Sequence, residues 1–388
     1  MSSDEERSPG LTRAGLVRLS AGGIAALALG RALPNEQVAA AITRGGRTHG
    51  NALQPSDARA AILDVLRREA LVAICERHML QEWHDLIQAV LHDPGLSRQL
   101  NDIVVEFGNA TYQPLCDRFV VDGTAVPRAD LVQMWRQIGD PTWNAPVYEQ
   151  LYRTVRAVNR TRPADRRVRI LLGQAPITMS DVVARPHDRA KAHALATPMD
   201  DHFATVVERD VLSRGRRALL IAGKGHLLRD LSTDRNGNTP NATTRIVRTT
   251  RAKPYVIDNL ILPAGPPADR AVARATRELA HTPATVVAPL PGTWLGATDV
   301  IGGGGWINEL ADRALDPGAA RYDRQADAIL YLGPGETLTA SQPDPAIYHW
   351  GSYPNEVRRA AALAGAGDQL ALAIHWATSQ PGYFNLFR

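Results

Sequence analysis

Beyond residue 55 the chain alternates between two periodicities. "ARAAILDVLRREA" places Ile62, Leu63 and Leu66 at helical spacing, whereas "LVAIC" is a continuous apolar run from Leu71. A second helical stretch, "LQEWHDLIQAVLHD", leads to another apolar run, "DIVVEF", and then to a helical, loop-rich section reaching about Asn159. "RVRILLG", a helical stretch near His202–Leu212, "RRALLIAG", "TRIVRTT", "ATVVAPL" and "DAILYLG" follow. Short Val/Ile/Leu runs separated by amphipathic stretches predict an α/β fold: a mostly parallel central sheet with helices on both faces. The expected strands lie near 71–75, 102–106, 168–172, 218–222, 285–289 and 327–332, with "TRIVRTT" as a further apolar run and a helical insertion near 110–160 over the sheet edge. No repeat period is present. "PAGPP" (263–267) and the glycines 302–305 mark loops, the latter flanked by Trp294 and Trp306.

Residues 55–388 are therefore expected to form one α/β domain. Residues 1–45 read differently. Arginines precede the apolar run Ala21–Leu29, and Ala39–Ala41 offers a small-residue cleavage pattern. The run is too short to span a bilayer but suits a signal-peptide core. The layout is that of a twin-arginine leader without its arginine pair, since Ala14 follows Arg13. An exported protein and a cytoplasmic one are both compatible with it, and no stretch reads as stably membrane-inserted.

The 388 residues are 44% hydrophobic and 22% charged, enough for a sizeable core. A net charge of +4 points to no nucleic-acid partner. Only three of the 44 basic residues are lysines (191, 224 and 253), the mark of a GC-rich, bacterial codon usage. The two cysteines, Cys75 and Cys116, have no CxxC spacing and are expected as buried free thiols, or as one disulfide if the protein is exported.

Polar residues stand just after the strands. The first strand gives Glu76 and His78, the second Glu106 and Asn109 with Tyr112 beyond, the third Gln174, the fourth Lys224 and His226. In an open parallel sheet these ends line one crevice, where ligands bind. His78, Glu82 and Asp85 share a helix face if that helix begins at His78, so Glu82 could fix the imidazole tautomer. It could equally serve the helix dipole. His84 is expected on the surface or in packing.

These residues, with "LNDIVVEFGNATYQPLCDRFV", "RVRILLG", "VVERDVLSRGRRALLIAGKGH" and "DAILYLGPGETLTAS", resemble the superfamily of erythromycin-esterase-like, TraB/Tiki and haem-binding ChaN-like proteins. The likeness spans roughly residues 70–345. It rests on a strand ending in a Glu-x-His motif, a second ending in glutamate and a later one ending in histidine. The chain departs from the pattern at Cys75 (for glycine), Gln174 (for Asp), Met199 (for Arg) and Lys224, each altering polarity or charge near the crevice.

The resemblance implies a hydrolase of an ester or amide in a small-molecule substrate. His78 or His226 would be the general base, supported by Glu76 and Glu106. Asn109, Tyr112, Gln174, Lys224 and Glu82 would line the substrate site. Glu76, His78, Glu106 and His226 are also of the right type for a divalent metal. Other readings are a tailoring enzyme of specialised metabolism with a non-hydrolytic step, with Cys75 as a nucleophile, or a binder of haem through Tyr112 or His226. Against haem, aromatics are 5% of the chain and no CxxCH occurs.

Overall fold

Among the described residues eight strands join in one sheet: β1 Pro55–Asp57, β2 Leu71–Glu76, β3 Asp102–Asn109, β4 Arg169–Gln174, β5 Ala218–Gly223, β6 Tyr255–Leu260, β7 Thr285–Val287 and β8 Ala328–Tyr331. Their order is β1-β7-β8-β6-β2-β5-β3-β4. β4, β3, β5, β2, β6 and β8 run parallel, and only the contacts of β7 with β1 and β8 are antiparallel. The computed structural model describes residues 51–137, 141–178, 199–232, 239–262, 270–299, 320–364, 368–379 and 382–383. The leader-like segment 1–45, the loop 263–267, the glycines 302–305 and Trp306 lie outside them.

Every residue of β2, β3 and the strands' central positions is buried, as continuous apolar runs require of a sheet covered on both faces. Helices α1 (Ala58–Arg68), α2 (Gln81–Leu91), α3 (Gln113–Val120) and α4 (Pro146–Asn159) share one core with Ile74, Val105 and Ile221. Helices α5 (Met199–Val206), α6 (Ala242–Thr250) and α7 (Arg270–Leu279) share the other with Ala73, Val104 and Leu220. Alternation along each strand thus divides the side chains between two cores. α2 illustrates the energetics: Trp83, Ile87 and Val90 are fully buried, each contributing about 1.5–3 kcal/mol relative to exposure. Helices α8 (Tyr353–Ala364) and α9 (Gln369–Thr378) pack with Ile347 and Tyr348 in a third cluster. Among the described residues no helix is long and apolar enough to cross a membrane.

Three elements differ from the sequence expectation, one being the short edge strand β1, where no strand was expected. "TRIVRTT" is not a strand but most of α6, whose N-terminus is capped by Asn241 accepting from the Thr244 N–H. The sixth parallel strand is instead β6, "YVIDNL", whose polar Asp258 and Asn259 break the apolar run. Both cysteines are buried and free.

The chain order changes direction around β2: β5, β3 and β4 lie on one side of it, β6 and β8 on the other. A crevice forms at such a switch point outside the carboxyl ends of the strands. Glu76 and Gly223 end the two strands that meet there and are register partners.

Candidate functional site

Glu76 and Glu106 leave the sheet toward opposite cores. The Glu76 carboxylate meets three donors: His78 Nδ1, His84 Nε2 at 3.1 Å and the Tyr148 hydroxyl at 3.1 Å. Glu106 accepts from the Gly223 N–H at 2.7 Å and faces His226 Nε2 at 3.4 Å. The other His226 nitrogen, Nδ1, lies 2.9 Å from Asp200, on the first turn of α5. Asp200 also accepts from the Ala242 N–H at 2.7 Å.

Gly223 joins the two halves. β5 runs between β2 and β3, so the His78 ring and the Glu106 carboxylate both close over its α-carbon. A Cβ there would stand 3.3 Å from His78 Cε1 and 3.6 Å from Glu106 Oε2. Only glycine lets all three meet without displacement. Gly173 serves α5 likewise, since a Cβ at that position would lie 2.4 Å from the Phe203 ring. This close approach brings Asp200 over the sheet edge.

Burial disfavours the Glu76 charge, but His78 and His84 outweigh it and hold its pKa at about 2. Burial likewise opposes the Glu106 charge; His226, His78 and the Gly223 N–H overcome it and lower its pKa. For His226, burial works against protonation, yet Asp200 and Glu106 raise its pKa well above the ordinary histidine value. The two carboxylates thus favour the protonated form of His226.

The turn holding His78 is strained and tied down. Met79 is buried with a φ of 64°, unfavourable for a residue with a side chain. Its N–H donates to the Tyr148 hydroxyl at 3.1 Å, and its carbonyl accepts from the Ser341 N–H at 2.7 Å. The Tyr383 hydroxyl donates to the His78 carbonyl at 3.1 Å and accepts from Arg77 Nε at 2.9 Å. The Trp143 ring meets the His78 ring edge-on, centroids 4.7 Å apart.

Glu76, His78, Glu106 and His226 thus lie together, while the other residues singled out in the sequence divide. α2 begins at Gln81, not His78, so His78, Glu82 and Asp85 do not share its face. Glu82 turns away to accept from the Thr339 N–H at 3.0 Å and the Thr339 hydroxyl at 2.6 Å. His84, expected at the surface or in packing, is buried on Glu76. Asn109 braces its own loop, accepting from the Thr111 N–H and donating to the carbonyls of Gln137 and Ile177. Tyr112 is half-buried against the first core. Gln174 ends β4, half-buried, as the register partner of Asn109. Lys224 reaches down to buried Asp258 at 3.0 Å. Met199 is buried beside Asp200. Cys75 is fully buried, and burial and the nearby Asp258 push its thiol well up, which disfavours the thiolate a nucleophile needs.

Sequence reasoning missed Asp200, Tyr148, Trp143, Asp258 and Tyr383. The acidic pair in "MDDHFA" was the one available signal, for Asp200. The others are brought in by tertiary packing alone.

The four central residues are spent on one another and on Asp200, His84 and Tyr148. Among the described residues no group of three or more His, Cys, Asp or Glu could hold a metal ion. A haem does not fit His226, both of whose nitrogens face carboxylates, while Tyr112 is half-buried against the first core.

No family model matches the chain, and no curated protein matches it. Solved structures do. A Bacillus cereus protein aligns over 78% of this chain and 98% of its own, with 9% identity and a TM-score of 0.48. An erythromycin esterase variant in its open conformation aligns over 73% and 98%, with 10% identity and a TM-score of 0.46. The haem-binding ChaN of Campylobacter jejuni aligns over 54% and 88%, with 14% identity and a TM-score of 0.35. At these identities and scores the likeness is one of strand and helix arrangement, and it carries no argument about residues or activity.

Proposed function

We propose that this protein hydrolyses an ester or amide bond in a small-molecule substrate, with His78 as the general base. The observation that carries the reading is the asymmetry of the His78–Glu76 pair: the imidazole is 21% exposed, whereas the carboxylate beneath it is 1% exposed. With Nδ1 held by Glu76, Nε2 is the nitrogen that can take a proton. A buried ionised carboxylate behind the ring stabilises the imidazolium that forms.

In this scheme His78 Nε2 removes a proton from water as the oxygen adds to the substrate carbonyl. The tetrahedral intermediate collapses, the C–O or C–N bond breaks, and the leaving group receives that proton back from His78. His226 is a poor base because its two carboxylates keep it charged. Its role is electrostatic: it keeps Glu106 ionised and places positive charge on the far side of Gly223.

The test uses a panel of p-nitrophenyl esters and anilides with the purified protein. His78→Ala should lower turnover about 10²–10⁴-fold, the usual contribution of general-base catalysis. Glu76→Gln should also be severe, because it keeps the shape and removes the charge. Glu82→Gln should be mild, since Glu82 only fastens Thr339. Full turnover by His78→Ala, or none by the wild-type protein on any ester or amide, would overturn the proposal.

A further inference from the structure

A second recess lies away from the His/Glu cluster. It is a cleft of about 170 Å³ between the short helices Arg128–Leu131 and Gln133–Arg136, the N-terminus of α4, and the turn Pro345–His349. Its charged lining is three arginines (128, 136 and 153) against two carboxylates, Glu149 and Asp344. Trp135, Val132 and Ile347 give it an apolar wall.

The charges are unequally paired. Arg128 Nε donates to both Glu149 oxygens at 3.2 and 3.0 Å, and Arg153 donates to Glu149 at 2.9 and 2.6 Å. Asp344 accepts from the Ala346 N–H at the start of its own turn. Arg136 is left over. Its Nε donates to Asn144 at 3.3 Å and its guanidinium lies 5.1 Å from the centre of the Tyr353 ring, but among the described residues no carboxylate pairs with it. The guanidinium is half-buried, and loss of solvent lowers its pKa. A half-buried cation that only shares Glu149 with Arg128 and Arg153 keeps part of its charge unbalanced, and an incoming anion supplies the missing counter-charge. Its two terminal amino groups form a planar fork that matches a carboxylate. The positive end of the α4 dipole adds to the attraction.

We infer that this cleft binds a small organic carboxylate, with Arg136 gripping the carboxylate and the body resting on Trp135 and Ile347. The carboxylate class follows from the planar fork, and the organic body from the apolar wall. A bare inorganic anion would make no use of those apolar edges, which are 3–5% exposed. The site is independent of the hydrolytic reading, although Asn144 adjoins Trp143, which touches His78.

The test is calorimetric titration of benzoate into the full chain, with inorganic phosphate as the comparison anion. Benzoate should bind one per chain and more tightly than phosphate. Arg136→Gln should weaken benzoate at least about tenfold, equal to about 1.4 kcal/mol. Arg136→Lys, which keeps the charge but loses the fork, should fall between. Circular dichroism checks that each variant is folded, and if Arg136→Gln is not, the lysine variant alone decides. No benzoate binding by the wild-type protein would overturn the inference. So would equal affinity in the folded variants, or phosphate binding as tightly as benzoate.

Discussion

Replacing Tyr148 by phenylalanine removes one oxygen and leaves no cavity. That hydroxyl is fully buried and does two things: it accepts from the Met79 N–H and donates to Glu76, both at 3.1 Å. The N–H loses its acceptor in a buried turn already strained by the positive φ of Met79. An orphaned buried donor costs about 1–3 kcal/mol. Glu76 keeps the donors His78 and His84, so its loss is nearer the low end, about 1 kcal/mol for one hydrogen bond among three. Together Tyr148→Phe should cost about 2–4 kcal/mol. Urea unfolding at neutral pH measures it, provided the wild-type and variant slopes agree. A double-mutant cycle with Glu76→Gln then isolates the part passing through the carboxylate, expected at about 1 kcal/mol of coupling. A loss below about 0.5 kcal/mol, the size of an ordinary surface change, would refute the reasoning. So would strict additivity with Glu76→Gln.

Two further outcomes are expected. Tyr383→Phe removes the bonds to the His78 carbonyl and from Arg77 Nε; because Arg77 is half-buried and can find water, stability should fall by only about 1 kcal/mol, while ester turnover falls by a larger factor than the stability loss explains. His226 has a folded pKa above its unfolded value, so its contribution is complete below about pH 6.5 and is lost as pH rises through the folded pKa. Imidazole proton resonances should show His226 still charged at neutral pH, and Asp200→Asn should lower its midpoint; a midpoint at or below that of a free histidine would contradict the carboxylate sandwich.

The fold was largely legible because parallel strands buried on both faces need unbroken apolar runs, which β2, β3, β4, β5 and β8 supply. β6 hid because Asp258 interrupts its run, and that interruption is the buried partner of Lys224. "TRIVRTT" misled in the other direction, since its few apolar residues serve one helix face, with Ile246 buried and the C-terminal threonines bonded back to their own helix. The proximity of Glu76, His78, Glu106 and His226 could be read because each stands at or just beyond a strand's C-terminal end. The groups that hold them could not. Asp200 is 26 residues from His226 and Tyr148 is 72 from Glu76, and only packing unites them. The helical-face argument for Glu82 failed at one residue: the left-handed Met79 breaks the path from His78 into α2 and so turns His84 inward.

The bond from Tyr383 to the His78 carbonyl spans 305 residues of sequence, and the Tyr383 N–H is fastened to Leu338 at 2.8 Å. Chains are made from the N-terminus, and domains begin to fold during synthesis. β2 and its neighbours can pair long before residue 383 exists, so the sheet and the finished turn are separate events in time. A chain clipped ahead of Tyr383 would keep its glutamates and histidines on a formed sheet, with Met79 still bonded to Tyr148 and Ser341 but the His78 carbonyl without its tyrosine. One fastening of the His78 turn thus comes from a segment that the sheet does not need, and release of that segment would loosen the turn before it disturbed the strands.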